Sequence, residues 1–187
     1  MPFQHVDAVV QRLWQQLPDQ EPAHVFAILD GARDERIHPT LLQSANEHCC
    51  LYRGDLEPDL TAAAPYLVQL QPEGAFTTWL VSYGWGDSWG VFLQSAASLP
   101  ELRRHFRRFL MVYDPDGQPM YFRYYDPRVL RVYLPTCNAS ELRIIFGPVL
   151  RYCLEAEDPN SLLEIEFRRG KLGTRVLPLV SPQRVSV

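Results

Sequence analysis

The sequence predicts an α+β fold: a mainly antiparallel sheet packed against helices, followed by a short C-terminal subelement. Three observations predict it. Short apolar runs such as Val25-Phe-Ala-Ile-Leu29 stop at turn residues, here Asp30-Gly31, as buried strands do. Residues 111–113 and 120–125 flank Asp114-Pro-Asp-Gly117, where proline presets φ and glycine accepts a positive φ, which predicts an antiparallel hairpin. Residues 98–110 carry one apolar and one arginine-rich helical face, the pattern of a helix lying on a sheet.

The elements follow in chain order. At about 100° per residue, Val6, Val9, Val10, Leu13, Trp14 and Leu17 fall on one side of a helix that ends before Pro18. A polar turn through Glu21-Pro22 leads to the strand at 25–29, a short helix is expected within 39–47, and a second strand covers Cys50-Leu51-Tyr52. Residues 77–83 read as another strand, followed by the glycine- and tryptophan-rich run from Gly84 to Gly90. Ser98-Leu-Pro-Glu101 is a capping-box pattern with a proline tolerated in the first turn. On the helix it opens, Leu102, Phe106, Phe109 and Leu110 face the core, while Arg103, Arg104, Arg107 and Arg108 face away. Asp126-Pro127 interrupts strand pairing, and Val129–Leu134 continues toward a short helix capped near Asn138 or Ser140. Leu162–Phe167 alternates strictly, with Arg168–Gly173 turning it into a hairpin. The expected organisation is an N-terminal helix and linker (1–23), a main α+β domain (24–150) and a C-terminal extension (151–187).

With 187 residues, 47% of them hydrophobic, the chain can bury one sizeable core. A formal net charge of −4 supplies no global attraction for nucleic acid or an anionic membrane, so any cationic site must be local. Cys49, Cys50, Cys137 and Cys153 lack the spacing of a disulfide framework or a four-ligand zinc site, and the five histidines are scattered, so no metal is expected. The first residues have no basic start and uninterrupted apolar core, and no stretch reaches membrane-spanning length. A cytoplasmic protein is expected.

Gly86-Asp-Ser88-Trp-Gly90 matches the spacing of the hydrolase nucleophile elbow. That fold needs an acid and then a histidine from distant loops after the serine, yet the one downstream histidine is His105, on the next helix. A glycine turn anchored by tryptophans is the better reading, and a small serine hydrolase is the alternative. Asp30 and Asp126 could be imagined as an acid–base pair, but each belongs to a turn dipeptide whose carboxylate commonly accepts nearby backbone amides. The run Tyr121–Tyr133 interleaves aromatics with arginines, as single-strand nucleic-acid binders do, but also as a half-buried strand does. Arginines and aromatics are also what protein interfaces favour.

Several segments together resemble the DUF4123 family: Phe26–Ala32, Ala64–Val68, Gly84-Trp85 with Trp89–Leu93, Leu102–Leu110 and Phe122–Leu130. They stand in the family's order over roughly residues 24 to 150. The resemblance implies an adaptor or chaperone of the bacterial type VI secretion system, one that binds a toxic effector and helps load it onto the VgrG spike protein. It implies no cofactor and no catalytic residue, and its partners are the effector and the C-terminal region of the spike rather than nucleic acid or membrane. Many relatives carry a longer C-terminal lobe than the segment after Pro148 here. The expected partner-binding residues are Trp85, Trp89, Tyr124 and Tyr125 among the aromatics, with Arg103, Arg104, Arg107, Arg108, Arg123 and Arg128.

Overall fold

In the computed structural model, which describes residues 2–18, 22–114 and 116–179, the apolar run at 25–29 forms the middle of the sheet. This strand, β1 (His24–Asp30), is buried at every residue but His24. Its continuous apolar character has a simple cause: both faces are covered. Val25, Ala27 and Leu29 enter one core cluster and Phe26 and Ile28 the other, as the two-residue period of a strand requires. β1 pairs antiparallel with β3 (Pro65–Gln69) on one side and β4 (Gly90–Ser95) on the other. Beyond β3, β2 (His48–Cys50) forms one edge. Beyond β4 come β7 (Val149–Glu155), β8 (Ser161–Arg168) and, at the opposite edge, β9 (Lys171–Pro178). All of these pairings are antiparallel, so the fold is α+β.

Helices cover the two faces of this seven-stranded sheet. On the first lie α1 (Val6–Leu13), α2 (Ile37–Gln43) and α4 (Ala75–Gly84), contributing Val9, Leu13, Ile37, Leu41, Phe76 and Leu80. On the second lie α5 (Leu99–Phe106), α6 (Pro127–Tyr133) and α7 (Ala139–Phe146), contributing Leu102, Phe106, Leu130, Leu142 and Phe146. A short helix α3 (Pro58–Ala63) precedes β3. β5 (Met111–Tyr113) and β6 (Pro119–Tyr121) form a separate two-stranded ribbon. Glu101 accepts from the Ser98 amide at 2.9 Å and hydroxyl at 2.6 Å, so the capping box expected at the start of α5 forms.

Four expectations need correction. Residues 77–83 are helical, inside α4. Gly74 caps this helix, Thr77 Oγ1 donates to the Gln71 carbonyl at 2.7 Å, and Phe76, Thr77, Leu80, Val81 and Gly84 are buried at helical spacing. The segment is apolar nearly all round, which leaves little periodicity to read. The strand expected at 120–125 stops at Tyr121, and 127–133 is helix: Asp126-Pro127, read as a break, is the N-cap and first residue of α6. β2 lies at 48–50, so Leu51 and Tyr52 have left the sheet. Finally, α1 ends at Leu13, with Trp14–Pro18 continuing irregularly. Glu21, Pro115 and residues 180–187 of the expected C-terminal extension lie outside the described residues.

A charge cluster centred on the buried Arg151 and Glu164 ties strands β7 to β9 to the end of α1. Arg151 on β7 donates to Glu164 on β8 at 2.6 Å and to the Arg12 and Gln15 carbonyls at 3.1 and 2.9 Å. Arg175 on β9 donates to the other Glu164 oxygen at 2.7 Å. The end of α1 thus has partners for carbonyls that helical geometry leaves open.

Candidate protein-binding surface

The four aromatics expected at an interface are interior. Trp85, Trp89, Tyr124 and Tyr125 are each at most 6% exposed. Trp85 Nε1 donates to the Pro159 carbonyl at 2.7 Å, and the Trp89 ring fills the space beside Gly84, where a Cβ would stand 2.7 Å from Cε3. Tyr124 stacks on Phe106 at 5.8 Å and donates to its carbonyl at 3.1 Å. Tyr125 meets Tyr124 edge-on at 5.5 Å. Large amphipathic rings serve cores and interfaces equally, so composition alone does not separate the two.

Ser88 is also structural in its contacts. It joins helix α4 to strand β4, whereas a nucleophile elbow runs from strand to helix. Its φ of 57° and that of Gly86, 92°, bend the turn around Glu155, which accepts from the Gly86 amide at 2.6 Å and the Ser88 hydroxyl at 2.7 Å. Burial pushes the Glu155 carboxyl above its ordinary value, and these two hydrogen bonds work against that rise. Among the described residues no histidine hydrogen-bonds to Ser88.

Asp30 and Asp126 hold turns, as their dipeptides suggested. Asp30 accepts from the Ala32 amide at 3.1 Å and Asp126 from the Arg128 amide at 2.9 Å. Each also takes an arginine. Arg123 pairs with Asp30, and Arg128 reaches Asp126 through Nε at 3.0 Å and Nη2 at 2.6 Å. Burial works to raise the Asp126 carboxyl, but Arg128 outweighs it and holds the group below the ordinary carboxylate value. Two of the six arginines expected to meet a partner are therefore paired with carboxylates of the chain itself.

The helix expected over 98–110 ends at Phe106, and the four arginines in and just past its last turn separate by direction. Arg104 is exposed. Arg108 donates through Nη2 to His105 Nδ1 at 2.9 Å, which leaves His105 Nε2 to donate to the Ile145 carbonyl at 2.8 Å. Burial lowers the His105 pKa, and the Arg108 charge lowers it further. Arg107 donates to the carbonyls of Leu51 at 3.0 Å, Cys50 at 3.2 Å and Tyr52 at 2.5 Å, the three residues where the chain leaves β2. The Arg103 side chain makes no hydrogen bond or ion pair among the described residues, and its Nε is buried without a partner.

Arg103 and Arg107 line a groove that sequence reasoning did not anticipate. It has two adjoining lobes, with cavity volumes of about 680 and 530 Å³, sharing Tyr52, Arg53, Leu56 and Arg107. The first lobe runs past Cys50, Asp55 and Arg103; the second runs to Leu60, Arg108, Met111 and Tyr121. Pairing of Met111 with Tyr121 and of Tyr113 with Pro119 puts these side chains on one face of the β5–β6 ribbon. Tyr113 is 71% and Tyr121 62% exposed, and Tyr52 lies 5.5 Å from the Tyr121 ring. The signal was present as apolar residues on both sides of a turn, on a ribbon that pairs with no further strand among the described residues. Cys49 and Cys50 beside it stay protonated, burial pushing Cys49 up to about 11. No group of three or more metal-ligating side chains gathers among the described residues, and no helix among them is long and apolar enough to cross a membrane.

No curated protein and no solved structure matches the chain. One family model does, that of the domain of unknown function DUF4123, over residues 25–143, from β1 into α7. Because that match covers more than half of the 187 residues, including both walls of the groove, the chain belongs to the DUF4123 family.

Proposed function

We propose that this protein is an adaptor that binds a type VI secretion effector and promotes its loading onto the VgrG spike, acting in the cytoplasm without cofactor, metal or catalytic step. The observation that carries this reading is the groove at the β2 edge, where exposed Leu60, Met111 and Tyr121 adjoin Arg53, Arg103 and Arg107. Exposed apolar and aromatic side chains beside guanidinium groups have the composition of a protein-binding surface. The motifs that suggested chemistry are occupied by other work: Ser88 and Glu155 fasten a turn, and Asp30 and Asp126 fasten two more. The solvent face of Arg108 is a secondary contact in this reading, Arg104 lies outside the groove, and Arg123 and Arg128 act within the scaffold.

Co-expression with the toxin and spike proteins encoded by neighbouring genes tests it. A stable complex with the toxin, joined by the C-terminal region of the spike, is expected. A purified protein that binds neither, yet hydrolyses an activated ester in a manner abolished by Ser88→Ala, overturns it in favour of the serine hydrolase.

A further inference from the structure

We infer that the groove between the chain leaving β2 and the β5–β6 ribbon receives an acidic polypeptide segment of the partner, its carboxylates on Arg103 and Arg53 and its apolar side chains on Met111 and Tyr121. This rests on the adaptor reading and adds to it the place and the chemistry of contact.

The first observation is an imbalance of charge. The chain carries more acids than bases, and outside the groove six of the described arginines have carboxylate partners, among them Arg36 with Asp34, Arg123 with Asp30, Arg128 with Asp126 and Arg175 with Glu164, while others such as Arg33 and Arg143 have none. What sets the groove apart is that four arginines gather there with little acid beside them. Arg53, Arg103, Arg107 and Arg108 line the two lobes against a single acid, Asp55, and none of the four forms an ion pair among the described residues.

The second observation is Arg103 itself. Its guanidinium lines the larger lobe and makes no hydrogen bond or ion pair among the described residues, and its Nε–H is buried without a partner, as is that of Arg151, whose guanidinium by contrast is ion-paired with Glu164. A desolvated guanidinium N–H is a costly group to leave unmade, and a planar donor fork is matched geometrically by a carboxylate. Arg107 is different: its nitrogens already hold the carbonyls of residues 50–52, so it contributes charge and shape to the wall.

The apolar half of the site selects among anions. Met111 and Tyr121 are exposed and continue the wall past Tyr52. A free phosphate would satisfy the arginines and leave this surface uncovered, and a nucleic acid could stack bases on Tyr52 and Tyr121 but offers no aliphatic group to Leu60 and Met111, whereas a peptide with alternating acidic and apolar side chains covers all of it. Electrostatic complementarity of this kind sets orientation and partner choice.

The test uses the full chain and a fluorescein-labelled peptide alternating glutamate with leucine and tyrosine, read by fluorescence polarisation. Saturable binding is expected, weakened about tenfold or more by Arg103→Glu. The same loss is expected on replacing the peptide's glutamates by glutamine, and little change for Arg104→Glu, which adds the same charge to α5 outside the groove. Equal effects of the two α5 substitutions, or equal affinity for the glutamine peptide, overturn the inference. So does a single-stranded oligonucleotide that displaces the peptide at equal concentration. If the toxin co-purifies with the protein and with Arg103→Glu alike, the groove assignment falls and the adaptor reading stands. If neither toxin nor peptide binds, both fall.

Discussion

Replacing Arg123 by alanine removes the ion-pair partner of a carboxylate that water cannot reach. Asp30 is 1% exposed and Arg123 45% exposed, so the two ends of this pair are unequal. Without Arg123, Asp30 keeps one donor, the Ala32 amide at 3.1 Å, for a buried charge. Breaking a buried pair from one side costs about 3–5 kcal/mol, and the half-exposed guanidinium argues for the lower end, about 3 kcal/mol. Asp30→Asn approaches from the other side. It keeps an acceptor for Ala32, removes the charge, and leaves Arg123 to water, for a loss of about 1 kcal/mol. The double variant then costs less than the two singles together, because the stranded carboxylate exists only when Arg123 alone is gone. Urea unfolding followed through the buried Trp85 and Trp89 measures all three, with the shift read from the midpoint at constant slope. For a domain of this size, about 3 kcal/mol lowers the melting temperature by about 6–12 °C. Arg123→Ala within about 0.5 kcal/mol of the parent would refute the internal pairing and return Arg123 to the free cations of the surface.

Three further outcomes are expected. Gly147→Ala destabilises by about 3 kcal/mol or more, because φ of 45° is strained for any side chain and a Cβ would stand 2.7 Å from His105 Nδ1; Gly117→Ala, at φ 78° with open space around it, costs about 1 kcal/mol. Burial holds the His105 imidazole neutral in the folded chain, so the unfolded chain binds more protons as pH falls below about 6.5, and stability present above that pH is lost below it. A scan of melting temperature from neutral to acidic pH is flatter for His105→Asn, with a residual slope from His38, whose pKa burial also lowers. Ser88→Ala costs about 1–2 kcal/mol by calorimetry, through the lost hydrogen bond to Glu155 and the positive φ, and leaves peptide binding unchanged.

The features legible in the sequence are those where local chemistry and tertiary demand agree. The run at 25–29, the Ser98–Glu101 capping box and the hairpin about Gly117 each carry their signal within a few residues. α4 was unreadable because a helix apolar on nearly every side shows no period, and its strand-like Thr77, Thr78 and Val81 are outvoted by packing against β1 and β4. Asp126-Pro127 was ambiguous in principle, since the same dipeptide stops a strand and starts a helix. The site was legible in kind and only partly in place. Arginine and aromatic side chains do form it, but Trp85, Trp89, Tyr124 and Tyr125 are core and Arg123 and Arg128 are scaffold. Tyr52, Arg53, Leu56 and Leu60 join the groove through a contact between segments some fifty residues apart, clamped by Arg107 on the carbonyls of 50–52. No local window contains that contact.

Arg103 and Arg107 stand one helical turn apart, line the same lobe, and are expected to respond to substitution with opposite signs. In Arg107→Met three backbone carbonyls lose their donor, and the folded chain is destabilised by about 1–3 kcal/mol. In Arg103→Met the thioether keeps the apolar stem's packing while an unpaired, desolvated N–H disappears, so the free protein gains up to about 1 kcal/mol. Both variants lose affinity for the acidic peptide. A residue that lowers the stability of the free protein while raising its affinity for a partner is the trade expected of a recognition group held ready for a ligand. If Arg103→Met were destabilised as Arg107→Met is, Arg103 would be an ordinary strut of the scaffold, and its part in receiving a carboxylate would fall.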